Sequence, residues 1–236
     1  MSDLLSIGSS GVNAYRSALA AVGDNVANAE TQGYARRNVI LRESATFAPG
    51  QSGALNFGGV KAVSVDRAWD HYQAADSRIS ASLAARAEIR QHWLGAVETA
   101  LGDPSRDVGT LLGNFFNAGV ALAANPNDKL SRLTMLSALD EAAGAIRATA
   151  AGLAQVSDGI AAAGQLETDA LNADLEALAQ VNLSLRQAEP GRSSHATLQD
   201  QRDRLIDSIS ARIDVSVSLD DQGVATLPLA RQTGVT

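Results

Sequence analysis

The stretch 129–188 constrains the fold more than any other. Leu139, Ile146, Leu153 and Ile160 recur every seven residues, with Ala142, Thr149, Val156 and Ala163 on the companion row. The pattern resumes as Leu171, Leu178 and Leu185, with Leu175 and Asn182 between them. From Ile160 to Leu171 is one heptad plus four, the spacing of a stutter in a coiled coil. An unbroken helix of that length would run roughly 90 Å at 1.5 Å per residue. The expected fold class is therefore mainly α, with long helices forming an elongated coiled-coil-like bundle. Composition agrees: hydrophobic residues make up 45% of the chain, aromatics only 4%, and alanine is everywhere. Such a chain suits helices packed closely along thin seams better than a thick aromatic core.

A second heptad pattern opens the chain. Leu5, Val12, Leu19 and Val26 form one row, and Gly8, Tyr15, Val22 and Ala29 the row beside it. Leu5, Val12, Tyr15, Leu19, Val22 and Val26 are thus a candidate seam for a partner helix. Gly8, Gly11 and Gly23 each cost about 1 kcal/mol against alanine, so this helix is expected to be mobile until something packs on it. The helical pattern stops near Asn28–Gly33.

A small hairpin is expected near 37–65, with Val39-Ile40-Leu41 and the alternating Val63 and Val65 as strand residues and Pro49-Gly50, Gly53 and Gly58-Gly59 as turn signals. Helical periodicity returns near Trp69 and carries Leu83, Ala87, Arg90, Leu94, Val97 and Leu101. Gly102 followed by Asp103-Pro104 ends that helix and starts another, bearing Leu111, Leu112, Phe115, Phe116, Val120 and Leu122. After Asn125-Pro126-Asn127, Asp128 is placed to cap the long helix. Glu189-Pro190-Gly191 breaks it, and Ser193 or Ser194 can cap a further helix to about Arg212. A short β segment is expected at 214–229, with Asp220-Asp221-Gln222-Gly223 as its turn. The resulting division is 1–37, 38–68, 69–212 and 213–236.

Chemistry is hard to find. The formal charge of −7 leaves no basic field for nucleic acid. The absence of cysteine excludes disulfides, thiolate metal sites and a cysteine nucleophile. The first residues lack a basic leader with a continuous apolar run, and no window approaches a membrane span. His71, His92 and His195 have no ligand partner at helical spacing. Ser193-Ser194-His195 lacks the turn that frames a serine nucleophile, and Gly8-Ser9-Ser10-Gly11 follows no strand and lacks the lysine of a phosphate loop. Asp200 and Arg204, four apart on one helix, read as a surface ion pair worth a few tenths of a kcal/mol. The expectation is a protein that is not an enzyme, with no metal, no cofactor, no nucleic-acid partner and no membrane insertion.

One segment carries more information. Asn25-Val26-Ala27-Asn28-Ala29-Glu30-Thr31-Gln32-Gly33-Tyr34-Ala35-Arg36-Arg37 resembles the N-terminal motif shared by flagellar rod, hook and hook-associated proteins. The match covers Asn25, Asn28, Thr31, Gly33, Tyr34 and Arg36, while Arg37 stands where glutamine is common. Gly33 can take the positive φ that ends a helix, Asn28 and Thr31 can satisfy freed backbone groups, and Tyr34 can fold back on the last turn. Val63–Asp70, Asn114-Phe115-Phe116-Asn117, and the helix motif Asp200, Gln201, Arg202, Asp203 and Leu205 followed by Ile213–Val217 resemble the hook-associated protein 1 family of hook–filament junction proteins, over nearly the whole chain.

The resemblance implies a structural subunit joining hook to filament, exported by the flagellar type III system without a cleaved signal peptide and located in the extracellular flagellum. Its implied partners are further copies in a helical or ring assembly, the hook protein, a second hook–filament junction protein and a flagellar export chaperone. Family members finish with a C-terminal helix that pairs with the first one. Arg231–Thr236 is no such helix, so the expectation is a fragment or a shortened homologue. The alternatives are a rod or hook subunit, which the helical stretch 69–212 disfavours, and a soluble coiled-coil adaptor, which the Asn25–Arg36 motif disfavours.

Overall fold

The computed structural model describes residues 2–47, 55–102 and 107–228. Among them are α1 (Ser2–Ala27), β1 (Arg37–Phe47), β2 (Leu55–Arg67), α2 (His71–Leu101), α3 (Val108–Ala124), α4 (Lys129–Gln187), α5 (Ser193–Arg212), β3 (Ser218–Leu219) and β4 (Ala225–Thr226). The fold is mainly α with two small antiparallel sheets, β1–β2 and β3–β4. The turn signals Pro49-Gly50 and Gly53, the Asp103-Pro104 pair and the segment Arg231–Thr236 lie outside the described residues.

The chain divides into two compact units, residues 1–83 with 170–236, and residues 84–169. In the second unit, α3 is capped by Asp107, whose carboxylate accepts from the amides of Gly109 and Thr110. Asp128 does the same for α4, accepting from the Ser131 amide at 2.9 Å and its hydroxyl at 2.6 Å. The hydroxyl and then the backbone donors hold both carboxyls below their usual pKa. Their capping therefore operates above the ordinary carboxylate range and is lost only as pH falls through the lowered values.

The packing row of α4 differs from the sequence expectation in this unit. Leu139, Ile146, Leu153 and Ile160 remain 36–47% exposed, while Ala138, Ala142 and Ala145 are buried. Further along, Gly152 faces Ala100, and Gly159 lies under the Trp93 ring. Small residues let helix backbones approach closely, and the larger row is displaced to the flank of the contact. In the first unit the same helix does bury its leucines. Leu178 and Leu185 are inside, and Leu178 joins Ile206, Ile209 and Ala225 in a core flanked by Leu171, Leu205, Ile213, Val215, Val217, Leu219 and Leu227.

The hairpin is longer than expected, running from Arg37 opposite Arg67 to Phe47 opposite Leu55. Its register shifts between Ile40 and Leu41 and between Glu43 and Ala45. These bulges bend and twist a ribbon, and α1 lies on it. Ala14 and Ala21 of α1 are buried, and the Ser10 hydroxyl accepts from the Val60 amide at 3.1 Å. Gly59 adopts φ +83° here, where a Cβ would collide with Ser10 and press on Ile7. The helix that looked marginal alone thus has a packed face.

Asn182 of α4 holds the tail. Its amide donates to the Ala225 carbonyl at 2.9 Å and accepts from the Ala225 N–H at 3.0 Å, so it stands in for a neighbouring strand. Ala225 is buried, and Asn182→Ala would leave both its backbone groups unpaired. The expected loss is about 2–3 kcal/mol, read as a lower urea midpoint with an unchanged m-value.

Candidate assembly site

The side chains of α1 fall into two sets. Ala14 and Ala21 face the hairpin, whereas Leu5, Val12, Tyr15, Leu19, Val22 and Val26 are all more than half exposed. Leu4 extends this apolar row at 78% exposure. This exposed stripe of large apolar side chains on one helix is the candidate interaction surface.

The helix-ending motif is built around Asn25. Its side-chain amide donates to the Arg37 carbonyl at 2.9 Å, and its oxygen accepts from the Arg37 N–H at 2.8 Å and from the Tyr34 hydroxyl at 2.9 Å. Asn28 donates to the Asp24 carbonyl, and the Thr31 hydroxyl donates to the Asn28 side chain. Gly33 has φ +73°, and a Cβ there would run into the Arg204 side chain of α5. Arg36 is exposed, and its carbonyl accepts from the Ala68 N–H at 2.8 Å. Burial raises the Tyr34 pKa, with Arg37 opposing and Asp24 and Asp200 adding to it. The phenol therefore keeps its proton through neutral pH, and its donation to Asn25 is lost only as alkaline pH rises through the raised pKa.

Arg37 links this motif to α5. Its guanidinium donates to the hydroxyls of Ser193 and Thr197, both at 3.1 Å, and to Asp200 at 3.0 Å, and it lies over the Tyr34 ring. Opposite it in the hairpin, Arg67 places Nε 2.8 Å from the other Asp200 oxygen, off the hydrogen-bond line, and Nη2 2.7 Å from Asp203. Arg78 of α2 pairs with Asp207 at 2.6 Å. Arg202 donates to Asp203 at 2.6 Å and to the Gly223 carbonyl. The Trp69 ring takes Arg67 and Arg202 at 5.8 Å each. Burial lowers the Arg202 pKa against the opposing effect of Asp203.

Asp200 therefore makes no surface pair with Arg204. It is 2% exposed and bridges two arginines from the hairpin. Arg202 and Asp203 are buried beside it, Leu205 packs on the core, and Gln201 is exposed. Ser193 provides no side-chain cap, because the N-cap position is Arg192 and the Ser193 hydroxyl serves Arg37. Sequence reasoning passed over Arg67, Arg78 and Thr197. The available signal was Asp200, Asp203 and Asp207 at three-four spacing on one helix face, a seam spacing occupied by acids and so in need of cations.

Among the described residues no cluster of histidines and carboxylates could hold a metal ion, and no helix is long and apolar enough to cross a membrane. Residues 5–34 match the flagella basal body rod protein family. With that match, the exposed stripe and the predominantly helical fold define the class as a structural protein of the flagellum. Residues 94–235 match the flagellar hook-associated protein FlgK helical domain, and the chain belongs to that family.

Similar curated proteins are flagellar hook-associated protein 1 of Bacillus subtilis, 28% identical over 94% of this chain, and those of Salmonella typhimurium and Escherichia coli, 25% and 23% identical over 98% of it. The chain spans 42–45% of the length of these relatives.

Removing the bridging carboxylate tests the joint. Asp200→Ala leaves Arg37 and Arg67 buried against each other, and breaking a buried ion pair in this way costs about 3–5 kcal/mol. Urea unfolding followed by circular dichroism should show that loss, and a change below about 1 kcal/mol would mean the arginines find other partners.

Proposed function

We propose that this chain is a structural subunit of the hook–filament junction of the bacterial flagellum, and that α1 joins it to its neighbours. One observation carries the reading. The small-residue face of α1 is spent on the hairpin, while its large apolar residues from Leu5 to Val26 are left uncovered. At about 25 cal/mol per Å² of apolar surface, a helix laid along that row supplies the main driving force for association. On the same reading 1–37 forms the innermost packing layer, 38–68 connects it and 69–212 forms the next shell. The segment expected at 213–236 as a separate β-containing start instead packs Val215, Val217, Leu219 and Ala225 on the core shared with α4 and α5.

The family resemblance extends the proposal to location and partners. The chain would leave the cell unfolded through the flagellar type III system, escorted by an export chaperone. It would then assemble with further copies of itself, the hook protein and a second hook–filament junction protein outside the cell. A rod or hook subunit is the alternative, and the helical-domain match over 94–235 favours the junction.

Val12→Asp and Leu19→Asp separate packing between subunits from folding within one. Both side chains are exposed, at 61% and 70%, so each variant should keep its stability within about 0.5 kcal/mol. Incorporation at hook tips should nevertheless be lost, leaving cells with hooks and no filaments. Normal incorporation of either variant would count against the proposal.

A further inference from the structure

Arg37 is gripped twice. Asn25, near the end of α1, holds its N–H and its carbonyl. Ser193, Thr197 and Asp200, on the first two turns of α5, hold its guanidinium. One residue thus ties the main chain at the exit of α1 to the side chains of α5. Its cross-strand neighbour Arg67 reaches the same Asp200 and the adjacent Asp203, so the base of the hairpin is a two-pronged fork closed on α5.

From this geometry we infer that Arg37 is a positioning residue that sets the direction in which α1 presents its apolar row; the inference rests on the reading of that row as the assembly surface. α1 rides on the hairpin through Ala14, Ala21 and the Ser10–Val60 bond, so any rocking of the hairpin at its base carries the helix with it. The lever is long. A 26-residue helix is roughly 39 Å in length at 1.5 Å per residue, so a tilt of about 10° moves its far end by about 7 Å. That displacement is sideways and approaches the about 8–10 Å between the axes of packed helices, enough to lift the far end of α1 out of contact with a neighbouring helix.

A guanidinium suits the task because its planar, fixed donors point in several directions at once. Lysine could keep the charge on Asp200, but a single ammonium does not reproduce the spread from Ser193 to Asp200. Glutamine would keep donors and lose the charge. The fork therefore has angular stiffness that a merely stabilising contact lacks.

Because the chain contains no cysteine, two introduced thiols take spin labels cleanly. Arg16→Cys on α1 and Gln201→Cys on α5 are exposed positions outside the fork. Pulsed electron–electron double resonance on the unassembled full chain should give one narrow distance distribution. Arg37→Ala should broaden it at least twofold, and Arg37→Lys should fall between the two. Asn182→Ala, which weakens the fold at the tail, should leave it as narrow as in the parent.

Assembly at hook tips should fall more than tenfold for Arg37→Ala at equal folded concentration, and not for Asn182→Ala. An unchanged distribution in Arg37→Ala, or equal broadening in both variants, would overturn the inference. The distances are read before assembly, so a failure of this inference is distinguishable from a failure of the assembly reading, which Val12→Asp and Leu19→Asp probe separately.

Discussion

Two arginines face each other across the base of the hairpin, and the Asp200 carboxylate between them makes that arrangement tolerable. Like charges directly opposite in an antiparallel pair repel, and burial makes the repulsion worse. Arg37 and Arg67 are each nearly buried, yet each has an oxygen of Asp200 within 3.0 Å. Around this point the charges alternate: Arg67, Arg78 and Arg202 all approach Asp203, and Arg78 goes on to Asp207. The network draws on β1, β2, α2 and α5, which are far apart in the chain. Buried ion pairs are poor sources of net stability but strict about geometry. Here that strictness falls on the base of the hairpin, where Asn25 of α1 holds the main chain of Arg37.

A second constraint acts on α1 and on the part of α4 in the second unit. There alanine and glycine are covered and larger apolar residues are left outside, whereas in the first unit α4 buries Leu178 and Leu185. On α1 this puts Ala14 and Ala21 inward and Val12, Tyr15 and Leu19 outward. On α4 it puts Ala138, Ala142 and Ala145 inward and Leu139 and Ile146 toward solvent. A globular enzyme built this way would waste its best hydrophobic residues. For a subunit that packs against copies and neighbours the same division is economical, because the residues with the largest transfer energy remain free for association.

The helices and their order were legible because heptad spacing, the proline breaks and the Asp128 cap are local signals, although the sequence points to Asp103 as the cap of α3 and the structure puts it at Asp107. The motif around Asn25 was legible as a helix stop, since Gly33 and the polar residues before it advertise one. The joint was not. Asp200 has Arg204 one turn away, and that local pair hides partners lying 163 and 133 positions earlier in the chain. Finding them requires the hairpin register, which places Arg37 opposite Arg67 and depends on two bulges; one falls at Gly58-Gly59, inside β2, where the sequence pattern predicts a turn. The choice of Ala142 over Leu139 for the interior of α4 was equally hidden. Periodicity identifies rows at seven-residue spacing, but how closely two backbones approach decides which row is covered.

The dependence of the first unit on the Arg37–Asp200 contact can be measured directly by a double-mutant cycle. Unfolding free energies of the parent chain, Arg37→Ala, Asp200→Ala and the double variant isolate the coupling between the two side chains. A buried, hydrogen-bonded charge pair at the centre of the joint should give a coupling above about 1.5 kcal/mol, with the double variant more stable than the sum of the single losses implies. Losses that add within about 0.3 kcal/mol would show that the two side chains are independent and that the joint is held elsewhere.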